Sequence, residues 1–244
     1  MNEIKTEKIQ KLLAQTGIGS RRQIEKWILA GRVKVEGRIA ALGERITIHA
    51  KIQVDGKEIP LVASAKQSTR VLLYNKPEGE ICTRSDPENR PTVFSSLPLL
   101  KQGRWLSIGR LDINSSGLLL FTNQGELANQ LMHPRMEIER EYAVRVFGNV
   151  TDEILQKLTQ GVVLEDGKAQ FKQILGGGGE RSNRWYYVIV TSGRNRLVRR
   201  LWEAEGLEVN RLIRVRFGSI VLPRALPQGK WIELSTGEMK KLMR

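Results

Sequence analysis

The sequence predicts an α+β protein in two parts, a small N-terminal module of two short helices followed by strands and a larger domain built on a mixed, largely antiparallel sheet. Three observations predict this. Helical spacing gives way to two-residue alternation within the first sixty residues; an aperiodic run of small and polar residues follows; beyond it, short apolar strands are separated by uneven loops and three helical runs. Regular alternation of strand and helix would indicate a parallel sheet, and this order is irregular. The expected boundaries are 1–62 for the module, 63–70 for a linker and 71–244 for the larger domain.

In the module, Ile9, Leu12 and Leu13 and then Ile24, Trp27 and Ile28 recur at helical spacing on either side of Gly17-Ile18-Gly19, with Ser20 placed to cap the second helix. Gly31 ends that helix. Val33 and Val35 alternate with Lys34 and Glu36, and Ile46, Ile48, Ile52 and Val54 continue the strand pattern. In the larger domain, strands are expected at Val71 to Tyr74, Leu106 to Ile108, Leu118 to Thr122, Tyr142 to Phe147, Ala169 to Leu175, Trp185 to Thr191 and Arg211 to Phe217. Helices are expected at Glu126 to Leu131, after Thr151 through Leu158, and from Leu197 to Glu205 with Gly206 as terminator. Gly176 to Gly179 reads as a flexible hairpin loop, because it lacks the strand-to-helix setting of a phosphate-binding glycine loop.

Charge then narrows the partner. Forty Lys+Arg against 26 Asp+Glu give a net charge of +14, the balance of a protein that meets a polyanion and releases counterions on binding it. Nucleic acid leads over a membrane surface, since no apolar run approaches the roughly 20 residues that span a bilayer. The charged start, Met1 to Lys11, has no signal-peptide core, so a cytoplasmic protein is expected. One cysteine, Cys82, precludes an internal disulfide and reads as a small core residue. Two histidines, His49 and His133, make a zinc site or a histidine triad an unfavoured reading.

Candidate chemistry concentrates in a few places. Gly109-Arg110-Leu111-Asp112, followed by Ser115-Ser116-Gly117, puts one carboxylate beside one arginine in a turn between apolar segments. Lys76 sits at a strand end before Pro77-Glu78-Gly79. Arg194, Arg196, Arg199 and Arg200, extended by Arg211, Arg214 and Arg216, form an arginine-only cluster suited to bidentate contact with phosphate or carboxylate. Nearby Glu203, Glu205 and Glu208 are too few to neutralise seven arginines. Tyr142 shares a strand face with Val144 and Val146 and, taken alone, reads as a core tyrosine. Arg21, Arg22, Lys26, Arg32 and Lys34 gather around the second helix of the module.

Two resemblances follow from these residues. Ser20-Arg21-Arg22, Ala30-Gly31-Arg32-Val33-Lys34-Val35 and Gly37 resemble the alpha-L RNA-binding module, named after the fourth protein of the small ribosomal subunit. Across the whole chain, Lys76-Pro77-x-Gly79, Arg110-Leu111-Asp112 with Ser116-Gly117-Leu118, Glu141-Tyr142, Gly193-Arg194-Asn195-Arg196, Val198-Arg199-Arg200 and Leu212-x-Arg214-x-x-Phe217-Gly218 resemble the pseudouridine synthases. Within that family they match the branch that modifies ribosomal RNA and carries the small module in front. Arg140 stands where many relatives have lysine, which keeps the charge.

The resemblance implies an isomerase acting on a uridine of ribosomal RNA, of the large subunit, as a monomer and without a cofactor. It casts Asp112 as the essential carboxylate, which attacks the ribose, adds to the uracil ring or assists loss of a ribose proton. It casts Tyr142 as the residue that stacks on the base and lies where a proton moves, Arg199 as the partner of Asp112, and Arg110 as the side chain that replaces the flipped uridine. Lys76 and Leu212 are implied to line the pocket, and Arg194, Arg196, Arg200 and Arg214 to contact RNA. A noncatalytic ribosomal-RNA-binding or assembly factor on the same fold is the rival. A hydrolase using Ser115 or Ser116 lacks a base.

Overall fold

The computed structural model describes residues 6–61, 68–180 and 182–243, so positions 63–67 of the expected linker and the first residues of the charged start lie outside the described residues. The chain divides into two compact units, Met1–Thr69 with Pro98–Trp105, and Arg70–Leu97 with Leu106–Arg244. Residues 98–105 lie far along the chain from the module, yet they group with it. Within this first unit a side chain at Gly17 would collide with the backbone of Gly103.

In the first unit, β1 (Glu7–Lys8) leads into α1 (Ile9–Thr16), which buries Ile9, Leu12 and Leu13 and ends at Gly17 in the left-handed region. Ser20 caps α2 (Arg21–Leu29), its Oγ accepting the Gln23 amide at 3.1 Å, and α2 buries Ile24 and Ile28. β2 (Val33–Val35) buries its two valines and exposes Lys34. With β3 (Arg38–Ile39), β5 (Ile52–Val54) and β6 (Lys57–Glu58), it completes a four-stranded antiparallel sheet of order β3-β2-β5-β6, while β1 pairs with β4 (Arg45–Ile46). One apolar cluster, from Ile9 through Val33 and Val35 to Ile52, holds helices and sheet together.

The second unit begins with β7 (Val71–Lys76), β8 (Leu106–Ile108), β9 (Ser116–Thr122) and α3 (Gly125–Met132). Next come β10 (Arg140–Phe147), α4 (Asp152–Gln160), the hairpin β11 (Val162–Leu164) and β12 (Gly167–Ala169), and β13 (Gln173–Glu180) with β14 (Asn183–Val190). α5 (Leu197–Glu203), β15 (Glu208–Phe217), β16 (Ile220–Val221), β17 (Trp231–Glu233) and α6 (Thr236–Leu242) complete it. Among the described residues the sheet runs β13-β14-β10-β15-β9-β7-β17, with β16 beside β15 and β8 beside β9. Every pairing is antiparallel except β15 with β9, where Ile213 faces Ser116 and Arg214 faces Gly117. A side chain at Gly117 (φ +98°) would run into the backbone of Arg214, so glycine is what lets these two strands close at the centre of the sheet.

Two expectations are corrected. Gly176–Gly179 is not a loop: it lies in β13, where Gly176 pairs with Tyr186 and Gly179 with Arg184 across a bulge. Pairing with β14 supplies the order that the glycines lack by propensity. The strand expected from Ala169 to Leu175 instead breaks at residues 170–172, where Phe171 turns into the core against Trp202. Helix α6, closed by a Ser235–Glu238 capping box, was not anticipated. Among the described residues no helix is long and apolar enough to cross a membrane.

Candidate active site

A cleft of about 510 Å³ in the second unit is lined by Gly109, Arg110, Asp112 and Ser115 from one loop, Arg140 and Tyr142 from β10, Ser192 to Val198 from the β14–α5 turn, and Leu212 and Arg214 from β15. The volume suits a nucleoside-sized group, since small-molecule sites run roughly 300–1,000 Å³. The central strands meet here.

The loop carrying Asp112 has irregular backbone, yet the carbonyls of residues 111–115 are all taken. Cys82 Sγ lies 3.3 Å from Leu111 O and 3.4 Å from the Leu111 amide, and the Gly79 amide donates to Ile113 O at 2.8 Å. The Lys76 ammonium donates to Asp112 O at 3.1 Å, Ser115 O at 2.7 Å and Pro77 O at 2.9 Å, and Arg199 Nη2 donates to Asn114 O at 2.8 Å. Two cations thus grip the backbone while the half-buried side chain of Asp112 lines the cleft. Cys82 is half-buried and ties down Leu111, so it is more than the core filler expected.

This geometry corrects two assignments. Lys76 does not line the cleft: it is fully buried beneath the loop, and burial pushes its ammonium below the ordinary lysine value while Cys82, Glu80 and Asp112 oppose that shift. Nor does Arg199 form a carboxylate–guanidinium contact with Asp112. Its Nη1 donates to Val209 O at 2.6 Å and its Nη2 to Asn114 O, so the fork that was expected to hold the side chain holds the main chain. Burial and Arg196 push its pKa down, and Asp112 lies near enough to push it up. Among the described residues no ion pair reaches Asp112.

Tyr142 is both things the sequence allowed. It is 9% exposed among Val144 and Val146, and it lines the cleft. Leu212, paired in register with Val144, is among the residues lining the cleft, and Arg110 is exposed there. Arg214 reaches the cleft from a buried position, donating Nε to Leu118 O at 2.6 Å; its Nη2 and the buried Ser115 Oγ have no partner among the described residues. Sequence reasoning missed Ser107, Met132 and Val190 in the lining. It noted Arg140 only as a departure; Arg140 donates to Ile138 O at 3.0 Å and Thr191 O at 2.6 Å, and stacks over Phe217.

The arginine cluster is the largest correction, because the expected excess of free guanidinium groups is absent. Arg194 donates to Asp166 Oδ1, Gly167 O and Lys168 O, and Arg200 grips Asp166 through both nitrogens at 3.0 and 2.9 Å. Arg196 meets Glu203 at 3.4 Å, Arg211 meets Glu78 at 3.1 Å and Arg216 meets Glu141 at 2.7 Å. Asp166, Glu78 and Glu141 supply acceptors from distant elements that local counting could not include. In the first unit, Arg32 pairs with Asp55 and lies over Trp27, whereas Arg21, Arg22, Lys26 and Lys34 are exposed without ion pairs among the described residues.

The pattern of the RNA pseudouridylate synthase family matches residues 70–204, and that of the S4 domain matches residues 7–52. Proteins named ribosomal large subunit pseudouridine synthase B from Escherichia coli strain K12 and from Salmonella typhimurium are each 59% identical over 239 residues, covering 97% of this chain and 82% of theirs. The Haemophilus influenzae protein of that name is 59% identical over 230 residues, 93% of this chain and 64% of its own. A solved structure described as a pseudouridylate synthase shares the fold at TM-score 0.67 and 24% identity, covering 96% of this chain and 99% of that one.

Proposed function

The chain belongs to the RNA pseudouridylate synthase family, and from that premise we propose that it converts a uridine of large-subunit ribosomal RNA to pseudouridine in the cleft around Asp112. The observation that carries the residue assignment is the convergence of Asp112, Tyr142, Leu212 and Arg110 on one cavity from three separate elements. The target RNA class rests on the names of the 59% identical relatives and on the S4 domain, whose Arg21, Arg22, Lys26 and Lys34 are exposed.

The reaction breaks the bond between ribose C1′ and uracil N1 and forms one between C1′ and C5; the C5 proton leaves and N1 acquires one, so the product is an isomer. Asp112 is the carboxylate at the reacting ribose or base. Its value lies in position: with the carbonyls of residues 111–115 all engaged, the backbone under it has little freedom to shift as the base turns. Tyr142 gives the base an aromatic face, with its hydroxyl on the path of the C5 proton. Leu212 bounds the pocket as an apolar wall. Because no side chain can surround a glycosidic bond inside a stacked helix, the uridine is extruded, and exposed Arg110 fills the gap it leaves. The protein acts as a monomer in the cytoplasm.

The test supplies ribosomal RNA carrying tritium at uracil C5 and follows its release. Wild-type protein releases label, and Asp112→Asn, which keeps size and removes charge, abolishes release while RNA affinity stays within about twofold. Undiminished turnover of Asp112→Asn would remove Asp112 from the mechanism.

A further inference from the structure

One wall of the cleft is the turn between β14 and α5, and this turn is poorly provided for by its own sequence. Arg196 adopts a left-handed conformation (φ 47°, ψ 27°) that only glycine takes without strain, and α5 has no side-chain cap at its N-terminus. Within the turn, the Arg194 amide reaches Ser192 Oγ only at 3.4 Å. Something outside the turn must hold it.

We propose that Asp166, at the tip of the β11–β12 hairpin, is a positioning residue for the reaction: it ties together Arg194 in the cleft wall and Arg200 in α5, and so keeps the turn 192–197 in its catalytic shape. The proposal rests on the catalytic reading of the cleft given above. Arg194 sends Nη1 to Asp166 Oδ1 and Asp166 O, both at 3.2 Å, and to Gly167 O at 3.1 Å, while its Nη2 reaches Lys168 O at 2.5 Å. Arg200, six residues on, places both its nitrogens on the two oxygens of the same carboxylate. Two guanidinium groups therefore converge on one anion, and the hairpin tip is stapled both to the turn before α5 and to α5 itself.

Remove that anion and the two positive charges face each other with no carboxylate between them; Arg194 keeps only the carbonyls of residues 166–168, and repulsion from Arg200 then works against that hold. The cleft wall moves with Arg194, because Ser192, Gly193, Asn195 and Arg196 all line the cavity. The low pKa of Asp166, caused first by its bond to Arg200, keeps the clamp ionised across the neutral range. Arg194 and Arg200 thereby act on RNA indirectly, through the shape of the wall.

The experiment compares full-length wild type, Asp166→Ala, Asp166→Glu, Arg194→Ala and the double variant Asp166→Ala/Arg194→Ala by thermal midpoint, amide hydrogen exchange, RNA affinity and single-turnover tritium release. Since the ion pairs are partly exposed, Asp166→Ala should shift the midpoint by no more than about 2 °C. It should raise exchange at residues 192–197 and slow turnover at saturating RNA roughly tenfold, with affinity within about twofold. Asp166→Glu should restore most of the rate, and the double variant should be no slower than Arg194→Ala alone. Unchanged exchange at 192–197, wild-type turnover in Asp166→Ala or additive losses would overturn the proposal. So would a large fall in midpoint that Asp166→Glu does not repair, which would mark Asp166 as a general stability residue. If wild-type protein released no label, the catalytic reading would fail, and the exchange measurement would still decide the clamp.

Discussion

Replacing Lys76 by methionine isolates the hydrogen bonds that hold the Asp112 loop, because methionine fills nearly the same volume and has no N–H to donate. Three carbonyls lose a donor. Asp112 O keeps the Ser115 amide at 3.1 Å, which leaves Pro77 O and Ser115 O to bear the loss. At about 1–3 kcal/mol for each buried acceptor left without its donor, the cost is about 2–6 kcal/mol. The variant also escapes burying an ammonium, which offsets part of that sum. A net loss of about 2–3 kcal/mol corresponds, for a unit of this size, to a fall in thermal midpoint of roughly 4–12 °C. Turnover should fall further than stability does, on the order of a hundredfold, because a shift of about 1 Å in a reacting group is enough for that. The pH dependence adds a second check. Burial holds the Lys76 ammonium below its ordinary 10.5, so between its folded value and 10.5 the unfolded chain binds the extra proton. Wild-type stability therefore rises with pH across that window relative to Lys76→Met. Thermal melts over the alkaline range and single-turnover tritium release measure both effects. A midpoint within 1–2 °C of wild type together with near-normal turnover would refute the view that Lys76 holds the loop.

Three further outcomes are expected. Arg110→Ala should slow turnover strongly on a structured RNA and little on a short unstructured one whose uridine is already unstacked, as measured by label release on the two substrates; equal loss on both would make Arg110 a general phosphate contact. Tyr142→Phe should bind nearly as wild type and turn over slowly, whereas Tyr142→Leu, losing a stacking face worth roughly 1–3 kcal/mol, should fail in both; rapid turnover of Tyr142→Leu would return Tyr142 to a packing role. Replacing exposed Arg21 and Arg22 together by alanine should lower the slope of log affinity against log salt by about 1.5, each lost phosphate contact contributing roughly 0.7–0.9; an unchanged slope would mean that this face does not meet RNA.

Much of this protein was legible in the order of its residues. The Ser20 cap, the apolar face of α1 and α2, the alternation of Val33 and Val35, and the helices at 125–132 and 152–160 depend on neighbours within a few positions, and local spacing reports such neighbours directly. Asp112 and Tyr142 were legible for a different reason, since motif order carried them and the fold then brought them to one cavity. Tertiary structure alone decided who partners whom. Four glycines at 176–179 look like a loop until β14 pairs with Gly176 and Gly179, and Lys76 looks like a pocket residue until three carbonyls from its own turn and from residues 112–115 close around it. The arginine cluster looks like a free polyanion site until Asp166, Glu78 and Glu141 arrive from elsewhere in the chain. Periodicity and capping are properties of a few consecutive residues. Whether a cation is spent on its own protein or left for RNA depends on acceptors 28 to 133 positions away, and only the folded chain sets those distances.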